Sequence, residues 1–357
     1  MSIYIIIFFF ILLLCWIPNN KYSILLFTGL GFILTLFASL RGNIGGDYEA
    51  YLNLYNTAKE ASSQSDLFSV EFTYYYICKI ANFLSLGFMG VLFIYDMLAI
   101  SILFYAVSKL SKQFFFVILF YYSFYFFLHP MIQLRASIAA GLVLVGVLCM
   151  IKKKRILFYL SVLIGSCFHI SLLIFLPFYY LCRKIKLRPK FYFFFFLIAV
   201  IISKLISISG TLLSLLPEAY SFITLKLLSH QNTLEAGIGN RTANIYYIMA
   251  CLKILFNLFL QSKVKLLEQK EKHITYTLVI HYFAYIIYIL LSDMHIVAAR
   301  IAELLGIVEI LLIPMLIYIF RPSYFGKILV CSISFIQLII TLFFIGGDFI
   351  KPYAFGF

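Results

Sequence analysis

Apolar residues in this chain come in long runs, broken by short polar clusters. Runs of about 18 or more apolar residues recur almost to the end, which is the pattern of helices that cross a bilayer. With the basic clusters between them they predict about 12 crossings, roughly 2–17, 22–40, 88–107, 114–129, 132–151, 156–168, 170–182, 191–212, 243–261, 274–291, 295–319 and 328–346. The expected fold class is an all-α polytopic membrane protein, a single integral membrane domain over residues 1–357 with no internal repeat and no soluble domain. The first run, Ile3 to Ile17, lacks a basic leader and an A-x-A-like cleavage site, so it reads as a retained span. Both termini are then expected outside; if the first run does not cross, the N-terminus is inside.

Two interruptions are long. Residues 41–87 begin Arg41-Gly42-Asn43-Ile44-Gly45-Gly46-Asp47-Tyr48-Glu49-Ala50-Tyr51, a polar, glycine-rich segment. They end in a stretch from Leu67 to Leu86 with Phe68, Phe72, Tyr75, Tyr76, Ile80 and Phe83 at helical spacing. That spacing predicts an amphipathic helix on the outer interface. The second interruption, residues 213–241, closes on Gly237-Ile238-Gly239-Asn240-Arg241.

One pair of runs is too short to span. Only 27 residues lie between Arg155 and Arg183, out and back. Each arm is then ~20 Å long at 1.5 Å per residue, against a ~30 Å hydrocarbon core. The apex near Phe168-His169-Ile170 is therefore expected below the outer surface. Backbone can turn at that depth only inside protein or beside a water-filled cavity. The expectation is an outward-facing cavity with His169 near its floor.

Composition agrees with a membrane protein: the 357 residues are 64% hydrophobic and 12% charged, too apolar for a soluble domain. The net charge of +14 does not point to nucleic acid, because most of it sits in short loops. These are Lys109/Lys112, Lys152-Lys153-Lys154-Arg155, Arg183 to Lys190, Lys263 to Lys272 and Arg321/Lys327, with only Glu268 and Glu271 as acids. By the positive-inside bias those loops are cytoplasmic. Most other acids then fall outside, among them Asp47, Glu49, Glu60, Asp66, Glu71 and Asp293. The seven cysteines are scattered, without a C-x-x-C or Cys/His cluster, and there is no H-E-x-x-H, P-loop or EF-hand signature. No metal and no cofactor is expected.

Ionisable groups inside spans are costly and invite a functional reading. Arg135 lies about one turn inside the fifth span and Arg300 about two turns inside the eleventh. Arg41 closes the second span and Arg241 opens the ninth, so four arginines share one depth on the outer side. A planar guanidinium grips phosphate better than an ammonium does, and such a set suits a diphosphate. Each residue also has a plainer reading. Arg41 fits an interfacial anchor, Arg135 a packing role beside Ala136, Ser137, Ala139, Ala140 and Gly141, and Arg241 a loop end. Arg300 could be neutralised by Glu303, one turn on. His169, Asp47 and Glu71 compete as a proton acceptor. An imidazole titrates near neutrality, Asp47 sits on a glycine-loosened loop, and Glu71 also fits the polar face of the interfacial helix. Tyr48, Tyr51 and Tyr55 share a helical face that could hold a sugar, with Tyr51 the candidate contact. Asp96 and Glu309 are buried acids with no partner evident in the sequence.

The order of these elements resembles the EpsG family of polysaccharide polymerases, which are Wzy-type O-antigen or capsule repeat-unit polymerases. The matching residues are Arg41 with Gly46-Asp47 and Tyr51, Glu71 with the aromatic run after it, and Arg135-Ala136-Ser137-Ile138-Ala139. Phe168-His169-Ile170-Ser171, Ala299-Arg300-Ile301 through Pro314, and a closing Pro352-Tyr353 complete the set. The resemblance covers nearly the whole chain; the Arg241 loop matches loosely. It implies a GT-C-like glycosyltransferase in the bacterial inner membrane, with its site facing the periplasm or cell exterior; metal independence is expected because the arginines can replace a cation. Its substrates would be undecaprenyl-diphosphate-linked oligosaccharides, and a chain-length co-polymerase and a flippase would be its partners. The competing readings are another polyprenyl-dependent glycosyltransferase or ligase of GT-C type, a transporter or flippase, and a membrane acyltransferase.

Overall fold

Asn20 shows how polar punctuation sets the helices of this chain. Its side chain accepts from the N–H groups of Tyr22 and Ser23, and the Ser23 hydroxyl accepts from the Asn20 N–H at 2.9 Å. This capping box satisfies donors that a helix start leaves open. In the computed structural model, which describes residues 1–18, 20–61, 72–205, 240–345 and 350–356, every regular element is helical. The helices group into two units, Met1–Tyr179 with Gln269–His273 and Ile310–Phe357, and Tyr180–Glu268 with Ile274–Glu309.

The first unit opens with α1 (Ser2–Leu14) and α2 (Lys21–Ser39). α3 (Tyr48–Glu60) and α4 (Phe72–Phe83) occupy the described part of the 41–87 interruption. α4 is two-faced: Tyr74, Ile77, Cys78 and Ala81 are buried, while Phe72, Tyr76, Ile80 and Phe83 point away from the protein. α5 (Gly87–Leu110), α6 (Phe114–Ser123), α7 (Tyr125–Leu128), α8 (Leu134–Ile151) and α9 (Arg155–Ser166) follow, then a 3₁₀ turn, Ile170–Phe175. α8 is almost wholly buried because small residues let its neighbours approach. A Cβ on Gly141 would lie 3.1 Å from Ile102 of α5. Against α9, Gly165 faces Leu142 and Phe158 faces Gly146, so α8 and α9 run antiparallel. The basic turn Lys152–Arg155 joins them at one end; Arg135 and His169 lie toward the other. α9 has 12 residues and rises only ~18 Å.

The chain continues through α10 (Phe178–Lys184), α11 (Pro189–Leu205), α12 (Asn240–Ser262), α13 (Val264–Glu268), α14 (Ile274–Leu290) and α15 (His295–Gly306). Within the second unit Tyr282 donates to the Tyr192 carbonyl at 2.7 Å, fastening α14 to α11. Residues 269–273 belong with the first unit. There Glu271 accepts from the Lys112 N–H at 3.0 Å and from the Tyr318 hydroxyl at 2.9 Å. His273 beside it is fully buried, and burial lowers its imidazole to about 3. The first unit closes with α16 (Glu309–Leu312, from Ile310 onward), α17 (Leu316–Ile319), α18 (Ser323–Ile340) and a π-helical turn, Thr341–Ile345.

Among the described residues five helices are long and apolar enough to cross a membrane: Lys21–Ser39, Gly87–Leu110, Leu134–Ile151, Asn244–Ser262 and Ser323–Phe344. α14 and α15, bent by 85° at the break between them, make a sixth if they count as one broken span. Four further apolar helices are shorter: Ser2–Leu14, Phe114–Ser123, Arg155–Ser166 and Glu309–Ile319. The run at 114–129 breaks at Phe124, whose φ of −142° leaves the helix. The run at 295–319 breaks at residues 307–308, between α15 and α16, and Pro314, which has no N–H to give, sits in a 3₁₀ turn further on. The described residues are thus all-helical, with several short segments, in keeping with a polytopic membrane protein.

Candidate functional site

The loop after α2 is shaped by one glycine. Gly45 has φ +105°, a conformation that L side chains rarely adopt, and a Cβ there would lie 2.3 Å from the Met131 carbonyl oxygen. The loop therefore presses on the turn that starts α8, one helical turn before Arg135. Asp47 follows as the N-cap of α3, and Tyr51 is its first buried residue. Arg135 lies over the Tyr51 ring, 5.8 Å from its centroid, and the phenol hydrogen-bonds with Arg135 and feels the charge of Asp47. Burial pushes the Tyr51 phenol up against the pull of Arg135, so it keeps its proton at neutral pH. Asp47, Tyr51 and Arg135 are brought together.

A file of aromatic rings leads from there to the hairpin apex. Tyr51 faces Tyr74 at 5.7 Å, Tyr74 faces Tyr95 at 6.0 Å, and Tyr95 meets Phe168 edge-on at 6.2 Å. The Tyr74 hydroxyl donates to the Tyr51 carbonyl at 2.7 Å, and Thr73 donates to the Cys167 carbonyl at 2.7 Å. His169, half-buried, is the extended residue just after Phe168, before the 3₁₀ turn. The ring file thus links Tyr51 to Phe168, the residue before His169.

Arg41 does not reach out of the loop. Its guanidinium is buried, with Nη1 3.1 Å from Asp96 Oδ2 and also donating to the Ala38 carbonyl. This pair gives Asp96 its partner. The backbone around Arg41 is strapped by the segment near the end of the sequence. The Gly42 N–H donates to the Ala354 carbonyl at 2.8 Å and the Gly356 N–H to the Leu40 carbonyl at 3.1 Å. Tyr353 stacks on Phe37 at 4.4 Å and donates to its carbonyl at 2.9 Å.

In the second unit Arg300 stands exposed on α15. Glu303, one turn on, is within electrostatic reach of the Tyr246 and Tyr288 phenols. The Tyr288 hydroxyl is 2.8 Å from His295 Nδ1. Arg241 is part of the first turn of α12, but its side chain lies outside the described residues, as does all of Glu71. Sequence reasoning missed Lys253, which pairs with Glu309 at 2.7 Å. A lysine in the middle of an apolar run was the signal that could have found it. Among the described residues, no three His, Cys, Asp or Glu side chains gather as metal ligands.

The first unit thus defines a class: a helical membrane protein that gathers a carboxylate, a buried tyrosine and an arginine beside a short helix hairpin. Residues 24–355 match the EpsG family, and the chain belongs to that family. No curated protein and no solved structure matches it.

Proposed function

We propose that this EpsG-family chain is a polysaccharide polymerase at the outer face of the bacterial inner membrane. It moves a growing glycan from undecaprenyl diphosphate onto a sugar hydroxyl of a lipid-linked repeat unit. The observation that carries the reading is Arg135 held over Tyr51 within reach of Asp47, toward the same end of the α8–α9 pair as His169. In the reaction the bond from the anomeric carbon to the diphosphate oxygen breaks, and a bond from that carbon to the acceptor oxygen forms. The acceptor hydroxyl loses its proton, and undecaprenyl diphosphate leaves.

Arg135 in the first unit and Arg300 in the second are each a candidate to contact an anionic diphosphate, whose negative charge grows as it departs. Arg41, already neutralised by Asp96, is assigned to the scaffold of the loop instead. His169 and Asp47 are the candidate bases, and the Tyr51 hydroxyl hydrogen-bonds with Arg135. The donor is already activated, so the chemistry needs neither nucleotide nor metal. The test is deletion of the gene followed by repair with Arg135→Ala, Arg300→Ala and His169→Ala separately. Deletion should leave single repeat units where long chains stood, and each variant should accumulate without extending chains. Long chains persisting in the deletion strain would sink the polymerase reading; full activity in a variant removes that residue from the site.

A further inference from the structure

The α15 segment that carries Arg300 is tied at both ends. At its start, Tyr288 bonds with His295. Just past its end, Glu309 Oε2 lies 2.7 Å from Lys253 Nζ and accepts from the Tyr285 hydroxyl at 3.4 Å. Lys253 Nζ also donates to the Tyr285 oxygen at 3.0 Å and lies 5.0 Å from the centre of its ring. Two more residues extend this polar seam along the same face of α12. Asn257 donates to the Leu278 carbonyl at 2.9 Å and lies 3.2 Å from His281 Nδ1, while Gln261 donates to Asn257 Oδ1 at 2.8 Å. The seam fixes the register of α12 against α14.

Lys253 stands at the middle of the Asn244–Ser262 span, where a charge is most expensive to keep. Stability does not account for it. A buried ion pair is often matched or exceeded by apolar groups of similar volume, because desolvation offsets the attraction. What a buried pair does supply is a single allowed geometry. This one lies three residues beyond Gly306, the last of α15, and so sets where α15 departs from its neighbours.

We propose that Lys253 and Glu309 are positioning residues for Arg300. The inference rests on the reading in which Arg300 contacts the diphosphate. It is tested with the full-length protein in liposomes, supplied with lipid-linked repeat units. Lys253→Met with Glu309→Leu should accumulate and unfold at the wild-type temperature. Its kcat should fall by roughly 10- to 100-fold, as expected when a charged group is misplaced by about 1 Å, with KM changed less than about threefold. Lys253→Arg, which keeps the charge, should recover most of kcat. In an Arg300→Lys background the double substitution should remove little more. If the double variant does not accumulate, Tyr285→Phe gives the same readout, with kcat about fivefold down at unchanged KM. Wild-type kcat in these variants, with Arg300→Ala inactive, overturns the positioning role alone. An Arg300→Ala protein with full activity overturns the reading on which the role rests.

Discussion

Gly45→Ala separates the stability of the loop from its work. The added Cβ meets the Met131 carbonyl oxygen at 2.3 Å, whereas ordinary contact begins near 3.4 Å, so the loop must retreat by about 1 Å. The positive φ adds strain of ~1–3 kcal/mol for an alanine. Against a total of ~5–15 kcal/mol that cost should leave the protein folded and in the membrane. The retreat, however, carries Asp47 and Tyr51 away from Arg135. A misplacement of ~1 Å at a reacting centre costs about 100-fold in rate. Purified Gly45→Ala protein in liposomes should therefore extend lipid-linked repeat units about 100-fold more slowly, read as the loss of the upper rungs of a polymer ladder on a gel. Gly29→Ala is the control, because a Cβ there meets nothing within 4 Å. Wild-type ladders from Gly45→Ala, or an equal loss from Gly29→Ala, would refute the role given to this loop.

Other outcomes are expected from the same geometry. Asp96→Leu leaves the Arg41 cation buried without its carboxylate, which should cost ~3–5 kcal/mol and lower the unfolding temperature by roughly 4–7 °C. Adding Arg41→Met should restore most of that temperature, and an unchanged midpoint in Asp96→Leu would deny the pair. Tyr51→Phe keeps the ring under Arg135 while Tyr51→Leu loses it, so polymerisation by the leucine variant should be roughly tenfold slower than by the phenylalanine variant. His273 is held at about 3 against an ordinary 6.5, so below pH 6.5 the unfolded chain takes up a proton that the folded chain refuses. Stability should be fully kept above pH 6.5 and fall by up to ~1.4 kcal/mol per unit toward pH 3. Thermal unfolding of His273→Gln should lose that acid slope; an equal slope would remove His273 as its source. EDTA should leave the rate of chain extension unchanged, and inhibition reversed by Mg²⁺ would contradict the arginine mechanism.

What could be read from the residues was whatever repeats locally. The apolar runs and the shortness of the α9 arm follow from composition and counting along the chain, whereas the break inside 295–319 does not, since that stretch reads as one crossing. Contacts between distant residues did not. Arg41 with Asp96 and Lys253 with Glu309 join positions more than fifty residues apart, and no local pattern names such partners. Arg41 therefore looked like a ligand of the diphosphate, when its guanidinium is turned inward and already neutralised. The file of Tyr74 and Tyr95 was invisible for another reason. In a chain with 27 tyrosines and 40 phenylalanines, an aromatic residue carries almost no signal until its neighbours are known. Gly45 stood in plain view beside Gly46, but only the backbone shows which of the two is pressed against Met131.

The strap across Arg41 also has a temporal meaning. Tyr353 and the Phe37 carbonyl it holds are 316 residues apart in the chain. At roughly 5–20 residues per second of synthesis, the second partner appears ~15–60 s after the first. During that interval α2 is already made, yet the segment that pins its exit to Gly42 does not exist. The loop bearing Asp47 thus acquires its final seat late in biogenesis, and a nascent chain halted before Pro352 would hold every candidate catalytic residue and still lack the clasp that sets one of them.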